Sequence, residues 1–217
     1  MKSKAHSRLI ETGPFWQKSV ANSHWHFDPS RYEELNLQKI QVPYLNELIS
    51  LSVSGIEKTI STSLQHASEN DLQSKEIKDG ISKLAKDAGY SGEMVYSLVN
   101  DFFREGHPVA SELGSSLGLD DSYVKIHLQR PGQVWPLHID NFHAFRARSG
   151  FDGDLERVKR FSIALNDWCW GQMFQIGNVV WTGWEVGDCA EIPFGFPHGS
   201  ANSSPLDRIS LIITGVS

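Results

Sequence analysis

His138 and Asp140 stand one residue apart in the run Pro136-Leu137-His138-Ile139-Asp140, directly after a strand-like stretch. An imidazole and a carboxylate at that spacing can share a divalent metal ion. They can equally be a hydrogen-bonded polar pair at a strand end, because His-x-Asp is common by chance. The metal reading needs a third donor and something for the metal to act on.

His198, in the run GFPHGSAN, is the best third donor. It follows a Gly187-Asp188 turn and the strand-like run CAEIPF, several strands after His138, and a rolled sheet can bring strands that far apart side by side. Two histidines and one carboxylate on one face of a metal leave three positions open, which suits Fe(II), a chelating co-substrate and dioxygen. Arg208 follows in DRISLIITG. An arginine on an otherwise apolar strand is costly to bury without a partner, and a carboxylate matches its planar fork. Ser210 shares its face, since strand side chains repeat every two residues. Together they make a seat for the distal carboxylate of 2-oxoglutarate, whose keto-acid end would chelate the iron.

The order His138-x-Asp140, His198, Arg208-x-Ser210 resembles the Fe(II)/2-oxoglutarate-dependent dioxygenase superfamily. The resemblance covers roughly residues 123–215, and no subfamily is identified. Several branches of that superfamily have a polar pair, then Pro-Gly, then His-x-Asp. Here HLQRPG puts His127 and Gln129 on one strand face and Pro131-Gly132 at a turn. Similarity to those branches implies that Gln129 and His127 contact the co-substrate, although those branches often have Asn and Tyr there. The implied fold is mainly β with α: a double-stranded β-helix, or jelly roll, with an N-terminal helical extension packed on one sheet. The implied activity is oxidative decarboxylation of 2-oxoglutarate with dioxygen, coupled to hydroxylation of an unactivated C–H, with ascorbate as a supporting reductant. Related halogenases have a small residue where Asp140 stands, so the carboxylate favours hydroxylation. Rival readings are a non-catalytic jelly-roll metal-binding or sensor module, and a cupin-type metalloenzyme that uses no 2-oxoglutarate. A buried Arg208-x-Ser210 clamp argues against the last.

The elements that must position these residues divide the chain in two. Residues 1–120 read as a mostly helical extension and 121–217 as the β core, in one compact unit. Apolar spacings of three and four suggest a helix through Leu45, Leu48, Ile49, Ile56, Ile60 and Leu64. A second is expected from Asp71 to Gly89 and a third from Ser91 to Gly106, with Pro108 just beyond. Residues 111–121 read as a short polar connection. From Tyr123 onward, runs rich in Ile, Val, Phe and Trp alternate with turn signals: YVKIHLQ, QVWPLHI, KRFSIALND, QMFQIGN, VVWTGWE, CAEIPF, HGSAN and RISLIITG. That density predicts a sandwich or barrel. Residues 15–42 are ambiguous and could add strands or loops to its edge.

Other chemistry-bearing residues have plainer readings. His24, His26 and Asp28 alternate on one face of an extended run that Pro29 ends, but no carboxylate anchor accompanies them. His143 could sit at the mouth of a site or on a solvent-exposed loop. Arg146, Arg148, Lys159 and Arg160 bracket SGFDGD and could attract an acidic group, though a solvated basic loop is the simpler reading. Trp168, Trp170, Trp181 and Trp184 read as core or sheet-face residues, and Trp135 as a pocket-lining candidate. Cys169 and Cys189 read as buried thiols without a zinc spacing.

Composition fits these readings without choosing among them. The chain has 217 residues, 40% apolar and 21% charged, with a net charge of −6. The acidic balance argues against a general nucleic-acid binder. Two cysteines predict a reduced, cytoplasmic protein. No apolar run approaches the ~18 residues of a membrane span, and the first residues lack a signal-peptide core. The expected substrate is an amino acid, a peptide or a small metabolite.

Overall fold

The computed structural model describes residues 35–53, the backbone of 96–99, and 108–217 except 139, 141, 143–144 and 147–148; for 136–138 it describes the backbone alone. Among the described residues, ten strands form two sheets. They are β1 (Leu37–Lys39), β2 (Tyr96–Val99), β3 (Asp120–Gln129), β4 (Val134–His138), β5 (Val158–Ala164), β6 (Gln172–Ile176), β7 (Val179–Trp181), β8 (Asp188–Glu191), β9 (His198–Asn202) and β10 (Arg208–Val216). The six-stranded sheet runs β1-β8-β5-β10-β3-β2 and the four-stranded sheet runs β4-β9-β6-β7. The pairings in both are antiparallel. From β3 to β10 the chain crosses between the sheets at every step except the β6–β7 hairpin, which stays in the smaller sheet. The resulting orders β3-β10-β5-β8 and β4-β9-β6-β7 are those of a double-stranded β-helix.

The central strand shows why the sequence folds this way. Every residue of β10 is buried, because it lies between two layers. Ile209, Leu211 and Ile213 face outward into a cluster with Val124, Ile126 and Leu128 of β3 and Phe161 and Ile163 of β5. Leu48, from helical residues 45–53, covers that cluster together with Val109 and Leu113 of α1 (Val109–Ser116). The alternate residues Arg208, Ser210 and Ile212 face the interior between the sheets. One strand thus satisfies both a helix-covered core and a polar interior.

The eight strand-like runs after Tyr123 each hold a strand. Residues 37–39 add β1 to the edge of the six-stranded sheet through pairing with β8. Two expectations fail. Tyr96–Val99 is not helical but pairs with β3 as β2, and residues 111–116 are not a polar connection but lie within α1. Pro108, expected just beyond a helix, precedes α1 as its N-cap. Gly114 belongs to this helix for a packing reason: a Cβ there would lie 2.3 Å from the Ser122 hydroxyl oxygen. The helix expected over residues 71–89 lies outside the described residues. Among the described residues, no helix is long and apolar enough to cross a membrane.

Trp181 and Trp184 are buried in a second cluster with Phe174, Ile176 and Ile192. Trp170 departs from the core reading: it is 83% exposed. Cys189 is buried and Cys169 only half-buried, and both are free thiols.

Candidate functional site

The register of the sheets brings the candidate residues together. Across β10 and β3, Arg208 stands opposite Gln129, Ser210 opposite His127 and Ile212 opposite Lys125. Across β10 and β5, Thr214 stands opposite Arg160. On the smaller sheet, Trp135 pairs with Ser200 and His138 with His198. A cavity of about 170 Å³ lies between these faces, and its walls include Asp140, His198, Arg208, Ser210, His127, Trp135, Lys125 and Arg160.

At its centre, Nε2 of His198 and Oδ2 of Asp140 are 3.3 Å apart. The His198 ring is held on both sides. Its Nδ1 lies 3.2 Å from the Phe196 carbonyl, and the ring meets Phe174 edge to face. In the neutral tautomer that donates its Nδ1 proton to that carbonyl, Nε2 is an acceptor turned toward the carboxylate. Two acceptors that close need a cation between them, either a proton or a metal ion. Bond lengths of about 2.1 Å at right angles put neighbouring ligand atoms about 3.0 Å apart, so the observed separation fits two adjacent ligands of one metal. His138 is placed by its backbone, as the direct partner of His198 in the β4–β9 ladder. Among the described side chains, no group of three or more potential metal ligands occurs, and the His138 side chain is not among them.

One end of the cavity is built around Arg208. Arg208 is 5% exposed, and its guanidinium carbon lies 5.2 Å from the centres of both the Phe174 and Trp184 rings. Its Nη1 donates a long bond of 3.5 Å to the Gln129 side-chain oxygen. Its Nε and the Ser210 hydroxyl are buried without a hydrogen-bond partner. Burial lowers the Arg208 pKa to about 10, because the surroundings do not repay the loss of water around its charge. Gln129 was expected to contact the co-substrate. Instead its amide nitrogen is committed to the backbone carbonyls of Gln133 at 3.0 Å and Ser200 at 3.3 Å, and it is absent from the cavity wall. It steadies the arginine from behind. The Pro131–Gly132 turn forms as expected, with Gly132 at φ +83° and its N–H bonded to the Asn202 carbonyl at 2.7 Å.

The other end holds two cations. Arg160 was expected in a solvated basic loop. It instead turns inward and forms an ion pair with Asp140, donates from Nε to the Thr214 hydroxyl at 3.1 Å, and lies over the Phe142 ring. Burial works against its charge, but Asp140 and the Tyr123 hydroxyl outweigh that cost and raise its pKa. Lys125 lies 5.5 Å from the Tyr123 ring centre. His127 sits between the two ends and 6.4 Å from the Trp135 ring. Its pKa falls well below the ordinary imidazole value, first through burial and then through Lys125, Arg160 and Arg208, so it is neutral at physiological pH. The remaining basic residues stay outside: Lys159 pairs with Glu191 at 3.2 Å, and Arg146 is exposed. His24, His26, Asp28, His143 and Arg148 lie outside the described residues.

Sequence reasoning did not assign Lys125, Arg160 or Ser200 to the site. The available signal was parity: Lys125 is two residues before His127 on β3, and Arg160 is two before the buried Ser162 on β5.

No protein-family model matches the chain and no curated protein matches it. Solved structures do match. TT1209 from Thermus thermophilus is similar at 19% identity, over 44% of this chain and 72% of that one, with a TM-score of 0.32. A conserved protein with a double-stranded β-helix domain from Klebsiella pneumoniae matches at 21% identity, over 45% of this chain and 70% of that one, with a TM-score of 0.31. An RmlC-like cupin from Shewanella frigidimarina matches at 12% identity, over 44% and 67%, with a TM-score of 0.30. Strand order and register within the chain itself carry the conclusion that this protein contains a double-stranded β-helix.

Proposed function

We propose that the protein is an Fe(II)- and 2-oxoglutarate-dependent oxygenase that hydroxylates a C–H bond of an amino acid, peptide or small metabolite. The observation that carries this reading is the Arg208–Ser210 pair. The Nε of Arg208 and the hydroxyl of Ser210 are both buried and unpartnered, and both residues line the cavity that also holds Asp140 and His198. Leaving such groups unsatisfied in a low-dielectric site costs free energy, and the distal carboxylate of a keto acid would satisfy both. A cupin metalloenzyme without a carboxylate co-substrate gives these atoms no role.

Asp140, His198 and His138 would hold the metal. When bound, it would supply oxygen activation coupled to decarboxylation of the keto acid. The chain's own residues do the rest. Arg208 and Ser210 hold the far carboxylate and so set the direction in which the keto acid enters. Phe174 and Trp184 exclude water behind the guanidinium, which strengthens its attraction for that carboxylate. The neutral His127 lines the wall without adding charge, and the Phe196 carbonyl fixes the face that His198 presents.

The test is succinate formation from 2-oxoglutarate with Fe(II), ascorbate and a panel of candidate substrates, followed by mass spectrometry for a gain of one oxygen atom. The reading expects metal-dependent succinate that disappears in His138→Ala, Asp140→Ala and His198→Ala. Full activity in any one of these variants removes that residue from the ligand set.

A further inference from the structure

Lys125 and Arg160 are not explained by a metal or by 2-oxoglutarate. Four strand positions, or about 13 Å of extended chain, separate Arg208 from Ile212, the cross-strand neighbour of Lys125. Arg160 lies beside Thr214, two residues further along β10. The two cations therefore belong to the end of the cavity remote from the Arg208 clamp. They approach each other around Tyr123, whose ring is beneath the Lys125 ammonium and whose hydroxyl bonds Arg160. Phe145, stacked 5.9 Å from the Tyr123 ring, supports that floor. Lys125 has no carboxylate in ion-pairing distance among the described residues, and Arg160 must share Asp140 with His198.

The charges of the described lining residues favour a further anion. Among the described residues, three cationic side chains line the cavity (Lys125, Arg160 and Arg208) against one carboxylate, Asp140. A divalent metal and a dianionic keto acid cancel each other, so two positive charges remain when both are bound. Uncompensated charges in a partly desolvated cavity attract an anion strongly.

We propose that Lys125 and Arg160 form a second anion seat, and that the substrate oxidised by this enzyme carries an acidic group, in the simplest case a carboxylate, which binds there. This rests on the oxygenase reading for the role of the anion but not for its binding. Arg160 links the two functions, because the carboxylate it holds is the one that would ligate the metal. The acidic group would place the rest of the substrate over the His198–Asp140 face and away from the keto-acid clamp.

Matched pairs of carboxylates and their amides, from acetate and acetamide to hexanoate and hexanamide, test the seat directly. They are titrated anaerobically into the protein loaded with Fe(II) and 2-oxoglutarate, with binding measured by calorimetry. The proposal expects the acids to bind at least tenfold more tightly than the amides, Lys125→Met to erase that preference, and Lys125→Arg to retain it. Equal binding of acid and amide, or binding of neither, overturns it. So does Lys125→Met abolishing 2-oxoglutarate binding while leaving the acid preference intact, since Lys125 would then be the co-substrate anchor. Ligand-observed NMR on Arg208→Met protein without 2-oxoglutarate separates the two readings. An acid preference there keeps the seat even if the oxygenase assignment fails, and its absence there removes the seat.

Discussion

Arg208 of β10 faces Gln129 of β3 directly across the ladder, and the buried amide that accepts the guanidinium also donates to two backbone carbonyls, one of them on the opposite sheet. The clamp is thus fastened to both layers of the jelly roll. Replacing Gln129 with Leu leaves the Gln133 and Ser200 carbonyls without this donor. The expected result is a loss of about 1–3 kcal/mol of stability, measured by urea denaturation, together with a several-fold weaker affinity for 2-oxoglutarate. Unchanged co-substrate affinity would mean that Gln129 is structural only.

Arg208 carries the opposite expectation. A buried cation whose pKa is pushed down to about 10 costs the free protein stability. The unfolded chain binds the proton more tightly than the folded one, so stability rises with pH between about 10 and the ordinary guanidinium range. Arg208→Met should therefore leave the free protein as stable as wild type or more so, while removing the rise in Tm that saturating 2-oxoglutarate gives the wild type. At a hundredfold excess over Kd that stabilisation is about 2.7 kcal/mol. A large loss of stability in the free variant would show that Arg208 holds the fold together rather than waiting for a ligand.

Asp140 has two roles that a pair of variants can separate. Asp140→Ala leaves Arg160 buried without its carboxylate, which should cost on the order of 3 kcal/mol and also abolish metal binding. Adding Arg160→Met should restore most of the stability but none of the metal binding, read by thermal denaturation and by metal content after dialysis. If the double variant binds metal as well as wild type, Asp140 is an ion-pair residue and not a ligand.

The thiols should differ sharply. Burial raises Cys189 to about 12, whereas Cys169 is half-buried. Alkylation of the native protein at pH 8, followed by peptide mass spectrometry, should modify Cys169 and spare Cys189 until denaturant is added. Because the folded state keeps the Cys189 proton that the unfolded state loses near pH 9, this residue makes stability fall between pH 9 and about 12. Equal labelling of the two in the native state would contradict the burial.

The β half was legible because its strands lie between two layers. In RISLIITG the apolar set meets the helices while Arg208 and Ser210 keep the same parity inward, so one short stretch announces both a strand and a site. The stretch from Ser91 to Gly106 misled for the converse reason. Met94, Val95, Leu98, Val99 and Phe102 fit a helical spacing, and only the long-range ladder with β3 selects a strand. The Ser and Gly residues of ASELGSS suggest a loop, but Val109 and Leu113, one helical turn apart, bury fully against the sheet. Arg160 was hidden because Arg157 and Lys159 precede it, so that its charge reads as part of a solvated basic stretch. Its partner Asp140 lies on a different segment, and their meeting is a product of the roll.

Addition of 2-oxoglutarate to the Fe(II)-loaded protein under anaerobic conditions tests the central claim most directly, through the weak visible charge-transfer band of a chelated keto acid. The account predicts a saturable band in the wild type, no band in His198→Ala, and a midpoint at least tenfold higher in Arg208→Met. No band in the wild type at saturating 2-oxoglutarate, or an unchanged midpoint in Arg208→Met, would contradict it.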